Sequence, residues 1–427
     1  MLNGIKSKIN IALRTGLFHI LSTNVLKNAL SFISGIILVR LIPKNEYGIY
    51  SYAFNLISYF LLLSGLGVVS AVFQLCCENQ DNKEYSNRLF NYGVKSGYII
   101  NFILTIIILI YGLLYSGDMK GVGSCLICMS LYPFTSIAFD FSTIFFRYRL
   151  ENVKYANCLN VYSIISFVSS IICAWQWGIY GLIFANYISQ IGSIIVSKLN
   201  YGYKYTINDC QICHQEKKLI WRMAITSMFT NAVSNIMYLI DVSVIGEFLK
   251  NEADVASYKI ATKIPTAFVL IASSIVTYVY PFFARKIDDI NWTKKMAKKL
   301  LGSVCIFYAM VSVFLFIFSK HIVLLLFGMQ YYDSIATFKV LSIALFFQCA
   351  LRSVFGNLLV TQRKLRFNLF ESIVSGIINI IGDYYLIRKY GIIGVAYATL
   401  IVMVFSGVMC MSYYFYTLNR RNEYKMK

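Results

Sequence analysis

Charge is scarce in this chain. Of 427 residues only 39 are Lys or Arg and 19 are Asp or Glu, 14% in all, against about a quarter in soluble domains. A soluble protein of this length would form two or three domains, each with a polar coat, and there are too few charges to make one. Hydrophobic residues reach 58% and the mean hydropathy is +0.64, which excludes a disordered chain. Also lacking is any period-two alternation over short segments, which excludes a membrane β-barrel. No sizeable loop between apolar runs is present to hold a separate domain. His19, His214 and His321 are scattered without an H-E-x-x-H pattern, and no G-x-x-x-x-G-K-[ST] loop exists to hold a nucleotide phosphate. No short apolar core with an A-x-A site follows the basic start (Lys6, Lys8, Arg14), so no cleaved signal is expected. Eleven cysteines are present, but Cys125, Cys128, Cys158, Cys173, Cys305, Cys349 and Cys410 all lie in apolar runs, as buried free thiols do.

What remains is a series of long apolar stretches. They predict an all-α polytopic membrane protein with twelve spans, near 20–40, 49–75, 92–116, 121–146, 155–176, 179–199, 219–246, 256–283, 300–327, 336–360, 368–387 and 391–417, each about the 20 residues that cross a bilayer. The ninth can be read with a break near Phe318–Ser319. An even count puts both termini on one side. The basic residues between the spans and near their ends then sort 27 to 7, with the termini on the richer side, which makes that side cytoplasmic. The formal net charge of +20 is therefore a topological signal, and no nucleic-acid partner is expected.

The largest polar segment, about 200–218, falls mid-chain on the cytoplasmic side and divides the sequence into lobes 1–199 and 219–427. An internal repeat supports this division. "KNEYGIYSY" (44–52) matches "KNEADVASY" (250–258) at an offset of 206, and "WGIYGLIFANYIS" (177–189) matches "YGIIGVAYATLIV" (390–402) at 213. The basic turns "RYRLENVKY" and "TQRKLRFNL" fall in register between them. Two matches in the same order at nearly one offset indicate a true repeat. Six helices per lobe make it a parallel one, the arrangement of a rocker around a central path.

Charges within spans are costly against lipid, about 2.5–3.5 kcal/mol each at the bilayer centre, so they mark candidate sites. They are Lys27, Lys259, Lys263, Lys339 and Arg352, with Asp140, Asp241, Glu371 and Asp383. Asn24, Lys27, Asn28, Ser31 and Ser34 form one polar stripe at helical spacing in the first span. Thr226, Thr230, Ser234, Tyr238 and Asp241 do so in the seventh, and Lys259, Lys263, Thr266, Ser273 and Thr277 in the eighth. A water-filled cavity is the simplest solvent for such faces. Snorkelling is the alternative for Lys27 and Lys259, and a structural tie to a lysine of the eighth span is the alternative for Asp241. Arg352 follows Gln348 by one turn and is read as cavity lining; Glu371 and Asp383, near helix ends, are read as interfacial. Pro265 is either a hinge or a plain kink. "CQICH" (210–214) matches the haem-attachment string, but it lies on the cytoplasmic side and lacks a second ligand cluster. No cofactor, metal or catalytic residue is expected.

"LVRLIPKNEYGIYSYAFNLISYFLLLSGLGVVSAVFQ" (38–74), "DVSVIGEFLKNEADVASYKIATKIP" (241–265) and the paired G-x-x-G starts resemble polysaccharide and O-antigen flippases of the Wzx type, in the multidrug/oligosaccharidyl-lipid/polysaccharide exporter superfamily. The resemblance implies alternating access between two six-helix lobes of an inner-membrane protein. It also implies transfer of an undecaprenyl-diphosphate-linked oligosaccharide from the cytoplasmic to the periplasmic leaflet, with membrane lipids around it and glycan polymerase machinery as a candidate partner. Within the first signature, Arg40, Pro43, Tyr47, Gly48 and Tyr50 sit near a helix end, where a structural role is expected. A diphosphate needs cations, which Lys27, Lys259, Lys263 and Arg352 could supply, while Asn24, Asn28 and tyrosines could contact sugar and Asp140 or Asp241 could take up a proton. Two rivals stand beside this reading: a cation-coupled multidrug exporter of the same superfamily, and a membrane glycan polymerase or ligase, which the lack of a large outward loop disfavours.

Overall fold

The computed structural model describes residues 17–205, 212–287 and 289–426, with some side chains inside helices (Ser234 and Tyr238 among them) outside the description. Lys6, Lys8, Arg14 and the first cysteine of "CQICH" lie outside the described residues. Among those described, every regular element is helical. The helices are α1 (Leu17–Leu41), α2 (Lys44–Leu61), α3 (Val68–Glu78), α4 (Lys83–Leu113), α5 (Val122–Cys128), α6 (Tyr132–Tyr148), α7 (Asn152–Tyr201) and α8 (His214–Leu249). They continue as α9 (Glu252–Arg285), α10 (Ile290–Ile317), α11 (Ser319–Phe327), α12 (Ser334–Phe346), α13 (Val354–Thr361), α14 (Leu365–Tyr390) and α15 (Ile392–Met426).

Twelve spans are accommodated, but not as twelve plain rods. At about 1.5 Å per residue the 50-residue α7 is far longer than a bilayer core, and it breaks at Trp177 (φ −128°) and Gly178 (φ 57°, ψ −132°) into the fifth and sixth spans. The ninth span breaks at Phe318, between α10 and α11. The second and fourth spans, expected to be continuous, are bent pairs: α2 meets the segment containing α3 at 40°, and α5 meets α6 at 41°.

The bends have a side-chain cause. Between α2 and α3 the chain turns left-handed at Gly65, Leu66 and Gly67, which frees backbone groups that lipid cannot satisfy. Asn101 of α4, fully buried, accepts from the Gly65 amide (2.7 Å) and donates to Ser64 Oγ (2.9 Å) and to the Pro133 carbonyl (2.7 Å) at the start of α6. One asparagine thus serves both broken spans. Gly67 lies so close to α8 that a Cβ would stand 2.2 Å from the Ala224 carbonyl oxygen.

The repeat is visible in backbone geometry. Gly178 and Gly391, 213 apart, share an unusual conformation (φ 57°, ψ −132° and φ 59°, ψ −139°) that only glycine adopts freely. Three residues on, a Cβ on Gly181 would fall 1.9 Å from the Cys173 carbonyl oxygen, and one on Gly394 would fall 2.1 Å from that of Leu386. The basic turns repeat as well. Leu150 and Arg363 both have φ 59°. Glu151 N donates to Phe146 O and Lys364 N to Leu359 O, both at 3.0 Å, with Leu150 N to Arg147 O and Arg363 N to Val360 O. Both ends are Schellman caps built without glycine. The related "KNE" segments open α2 and α9, and the serine and tyrosine they share (Ser51 and Tyr52, Ser257 and Tyr258) are buried in each.

Packing separates two compact units, one ending at Leu239 and one beginning at Ile240, so the division passes through α8. The first unit has an aromatic core in which Phe90 meets Phe141, Phe145 and Tyr148 at 5.4–5.9 Å between centroids, closed by Ile220 and Ala224 of α8. In the second, buried Tyr308 donates to the Phe268 carbonyl (3.0 Å).

Candidate functional site

In the first unit, α1 packs on α7 through one edge. Ser34 and Ser170 share a hydrogen bond (3.0 Å), and Thr23 Oγ1 reaches the Ala156 carbonyl (3.5 Å). This leaves Asn24, Lys27 and Asn28 on an exposed face. Across from it, Asp140 of α6 is half-buried beside the stacked rings of Phe139 and Tyr162 (4.6 Å). Lys27 is the cation that acts on Asp140, yet the two form no ion pair within bonding distance. A lysine held near, but not on, a carboxylate keeps donor capacity for an incoming anion.

The polar stripes of the seventh and eighth spans satisfy themselves locally. Thr226 and Thr230 donate to Arg222 O and Thr226 O. Thr262, Thr266, Ser273 and Thr277 likewise bond carbonyls of their own helix. Such back-bonding lets a hydroxyl face an apolar or mixed surface cheaply, and Thr226, Thr230, Thr266, Ser273 and Thr277 are exposed. The side chains of Ser234 and Tyr238 lie outside the described residues.

The second unit holds the densest polar constellation, and its organiser is α14. Glu371, Ser375, Asn379 and Asp383 recur every four residues, so they share one face over about 18 Å, and all four are buried. At one end Glu371 Oε2 pairs with Arg352 Nη2 (3.2 Å) while Oε1 accepts from Ser375 (2.7 Å). At the other, Asn379 Nδ2 donates to both Asp241 Oδ1 (2.9 Å) and Asp383 Oδ2 (2.8 Å). Asp241 Oδ2 also accepts from Thr399 (3.0 Å) and from Tyr258. Asp383 Oδ1 has no hydrogen-bond partner. Lys259 acts on Asp241 through its charge, and half-buried Lys263 lies one turn further along α9.

Arg352 reaches Glu371 because helix geometry changes locally: residues Phe347–Ser353 form a π-helical segment between α12 and α13. The wider turn is accommodated by Gly407 of α15, where a Cβ would come within 2.8 Å of Leu351 Cβ.

The structure therefore groups Asp241 with Lys259, and Lys27 with Asp140, within their respective units. It places Arg352 in an ion pair instead of as an unpaired cation. Glu371 and Asp383, expected to be interfacial from their nearness to helix ends, are both fully buried within the protein (0%). The missed signal was the four-residue recurrence in "ESIVSGIINIIGD", and Asn379 and Asn101 were likewise overlooked.

A family model described as "Polysaccharide biosynthesis protein" matches residues 13–286, well over half of the chain. The chain belongs to the polysaccharide biosynthesis protein family. No curated protein sequence matches it. Its fold is that of transporters of the multidrug/oligosaccharidyl-lipid/polysaccharide superfamily. An inward-facing multidrug-resistance MATE transporter superposes with TM-score 0.77 at 14% identity, covering 93% of this chain and 96% of the other. The lipid II flippase MurJ, in an inward closed conformation, gives 0.72 at 16% identity and covers 92% and 86%. A superfamily transporter from Pyrococcus furiosus gives 0.57 at 14%, covering 96% and 94%. This member of the polysaccharide biosynthesis protein family is thus a multi-pass membrane protein with the architecture of two six-helix lobes.

Proposed function

We propose that the protein carries an undecaprenyl-diphosphate-linked oligosaccharide from the cytoplasmic to the periplasmic leaflet of the inner membrane, by alternating access of lobes 1–199 and 219–427. The observation that carries this reading is a polysaccharide-biosynthesis sequence on a transporter fold, with an exposed Lys27 inside a span and no closed ion pair on it. Lys27 of the first lobe meets the diphosphate, Asn24 and Asn28 beside it on α1 contact sugar hydroxyls, and the polyprenyl chain stays in lipid; in the second lobe Lys263 is a further candidate cation. Arg352 meets phosphate only by exchanging the Glu371 carboxylate for it. The cytoplasmic bias of the basic residues sets both termini inside.

A specific feature supports cation coupling, and with it the exporter reading as runner-up. Asp241 and Asp383 share the amide of Asn379, and Asp383 keeps an unpartnered buried oxygen. Two carboxylates so close in a dry site require a proton or a monovalent cation between them. Thr399 and the Asn379 carbonyl, after an amide flip, complete an oxygen shell for a small hard ion.

The deciding measurement is leaflet-to-leaflet movement of a lipid-linked oligosaccharide in vesicles containing the purified protein. Lys27→Ala and Lys263→Ala are expected to slow it about tenfold or more, the loss of one charge-assisted hydrogen bond each. Unchanged rates in both variants would remove the cationic site. Transport of organic cations with no movement of the glycolipid would favour the exporter.

A further inference from the structure

Three helices of the first lobe bring unmet hydrogen-bond acceptors to one depth of the membrane. α1 and the first half of α7 run side by side in the same direction, since Thr23 reaches the Ala156 carbonyl and, further along both helices, Ser34 meets Ser170. Lys27 of α1 and Asn160 of α7 each lie four residues past the first of these contacts, so they share a level about 6 Å beyond it. α6 runs against α7, with Ser142 beside Cys158 and the Phe139 ring stacked on Tyr162 at 4.6 Å. Asp140 therefore stands at that same level, where its carboxylate is within electrostatic reach of Lys27 and of the Tyr162 hydroxyl. Half-buried Asp140 receives no hydrogen bond on its carboxylate among the described residues. Asn160 Oδ1 is buried and likewise has no partner. An ionised carboxylate is an acceptor only. Once phosphate engages the charge of Lys27, both groups call for donors.

We propose that Asp140, Asn160 and the Phe139–Tyr162 ring pair form a subsite for the first sugar of the lipid-linked glycan, and that this subsite selects an uncharged pyranose. The proposal rests on the reading of the protein as a glycolipid flippase with the diphosphate on Lys27. A pyranose supplies what this wall lacks. Its rim carries hydroxyl donors, two neighbouring ones matching the two oxygens of Asp140, and its C–H face packs on half-buried aromatic rings. Lys27 and Asp140 stand beyond ion-pair distance, and a sugar ring joined to a phosphate on Lys27 occupies the space between them. An acidic sugar sets its own carboxylate against Asp140 instead, and like charges brought together in this way cost several kcal/mol. One side chain thus accepts from hydroxyls and turns away acids, so selection comes from repulsion as well as attraction.

The test places the purified full-length protein in vesicles and follows leaflet-to-leaflet movement of two undecaprenyl-diphosphate-linked monosaccharides, glucose and glucuronate. These differ only in a hydroxymethyl group against a carboxylate. Wild type is expected to move the glucosyl lipid about tenfold faster or more. Asp140→Asn should speed the glucuronosyl lipid and bring the two rates within about twofold, a gain that a misfolded variant cannot give. Tyr162→Ala should slow the glucosyl lipid, and Tyr162→Phe, which keeps the ring, should restore it. Equal rates for the two lipids in wild type would overturn the subsite and leave the flippase reading standing. So would an Asp140→Asn variant that moves the glucosyl lipid with the wild-type preference. Movement of neither lipid by wild type would overturn the flippase reading, and the subsite with it.

Discussion

Removing the guanidinium of Arg352 perturbs the protein in a way that separates a structural tie from a substrate contact. Glu371 is fully buried and its Oε2 is 3.2 Å from Arg352 Nη2. Once Arg352 is gone, only Ser375 remains to stabilise the carboxylate. Breaking one side of a buried pair costs about 3–5 kcal/mol. The Arg352 side chain is 31% exposed, so the lower end, about 3 kcal/mol, applies to Arg352→Ala. Glu371→Ala, which strands a cation able to find other solvation, costs somewhat less. Replacing both residues by methionine removes both charges and fills the space, and is expected to return stability to within about 1 kcal/mol of wild type or above it. The measurement is unfolding of the full chain in mixed micelles titrated with dodecyl sulfate, followed by tryptophan fluorescence. A change below about 0.5 kcal/mol in Arg352→Ala, or a double variant as unstable as the two single losses together, would refute the reasoning. Glycan export by the double variant then assigns the role. Normal export means that Arg352 is a tie, whereas a stable but inactive double variant means that it meets the diphosphate.

Three further outcomes are expected. Asn101→Leu leaves the Gly65 amide and the Pro133 carbonyl without their partner and is expected to cost about 1–3 kcal/mol per group, read in the same micellar titration. Gly181→Ala and Gly394→Ala put a methyl group into a backbone carbonyl at 1.9 and 2.1 Å; each should lower the folded yield sharply, and to a similar degree because the two sites are repeats of one geometry. Asp241→Asn and Asp383→Asn remove one charge from the shared pair, and transport by either variant is expected to lose its dependence on the coupling ion while the protein stays folded; a retained dependence would place coupling elsewhere.

Much of the architecture was legible because lipid imposes simple constraints. Apolar length, basic bias and the 206–213 offset located twelve spans and their pairing, and the break at Phe318 was visible as well. The bends of the second and fourth spans were not. Both stretches are long and apolar enough to be read as continuous spans, and the bends depend on Asn101, which lies far away in sequence. The candidate site was legible only in part. Single charges stood out against apolar background, so Lys27, Asp140, Asp241, Lys259, Lys263 and Arg352 could be picked. Their partners could not, because Glu371, Asn379 and Thr399 lie 19 to 158 residues from the groups they bond.

The same contrast holds across the two lobes. Ser170 and Asp383 are separated by the repeat offset of 213, yet Ser170 meets Ser34 while Asp383 shares an amide with Asp241. By itself the sequence determined that this chain lives in a bilayer, how often it crosses and which way it is repeated, because burial in lipid acts on each segment separately. Only the tertiary structure decided that one lobe ties its helices with neutral hydroxyls and the other with paired acids. A buried charge is defined by what surrounds it, and its neighbours come from other helices.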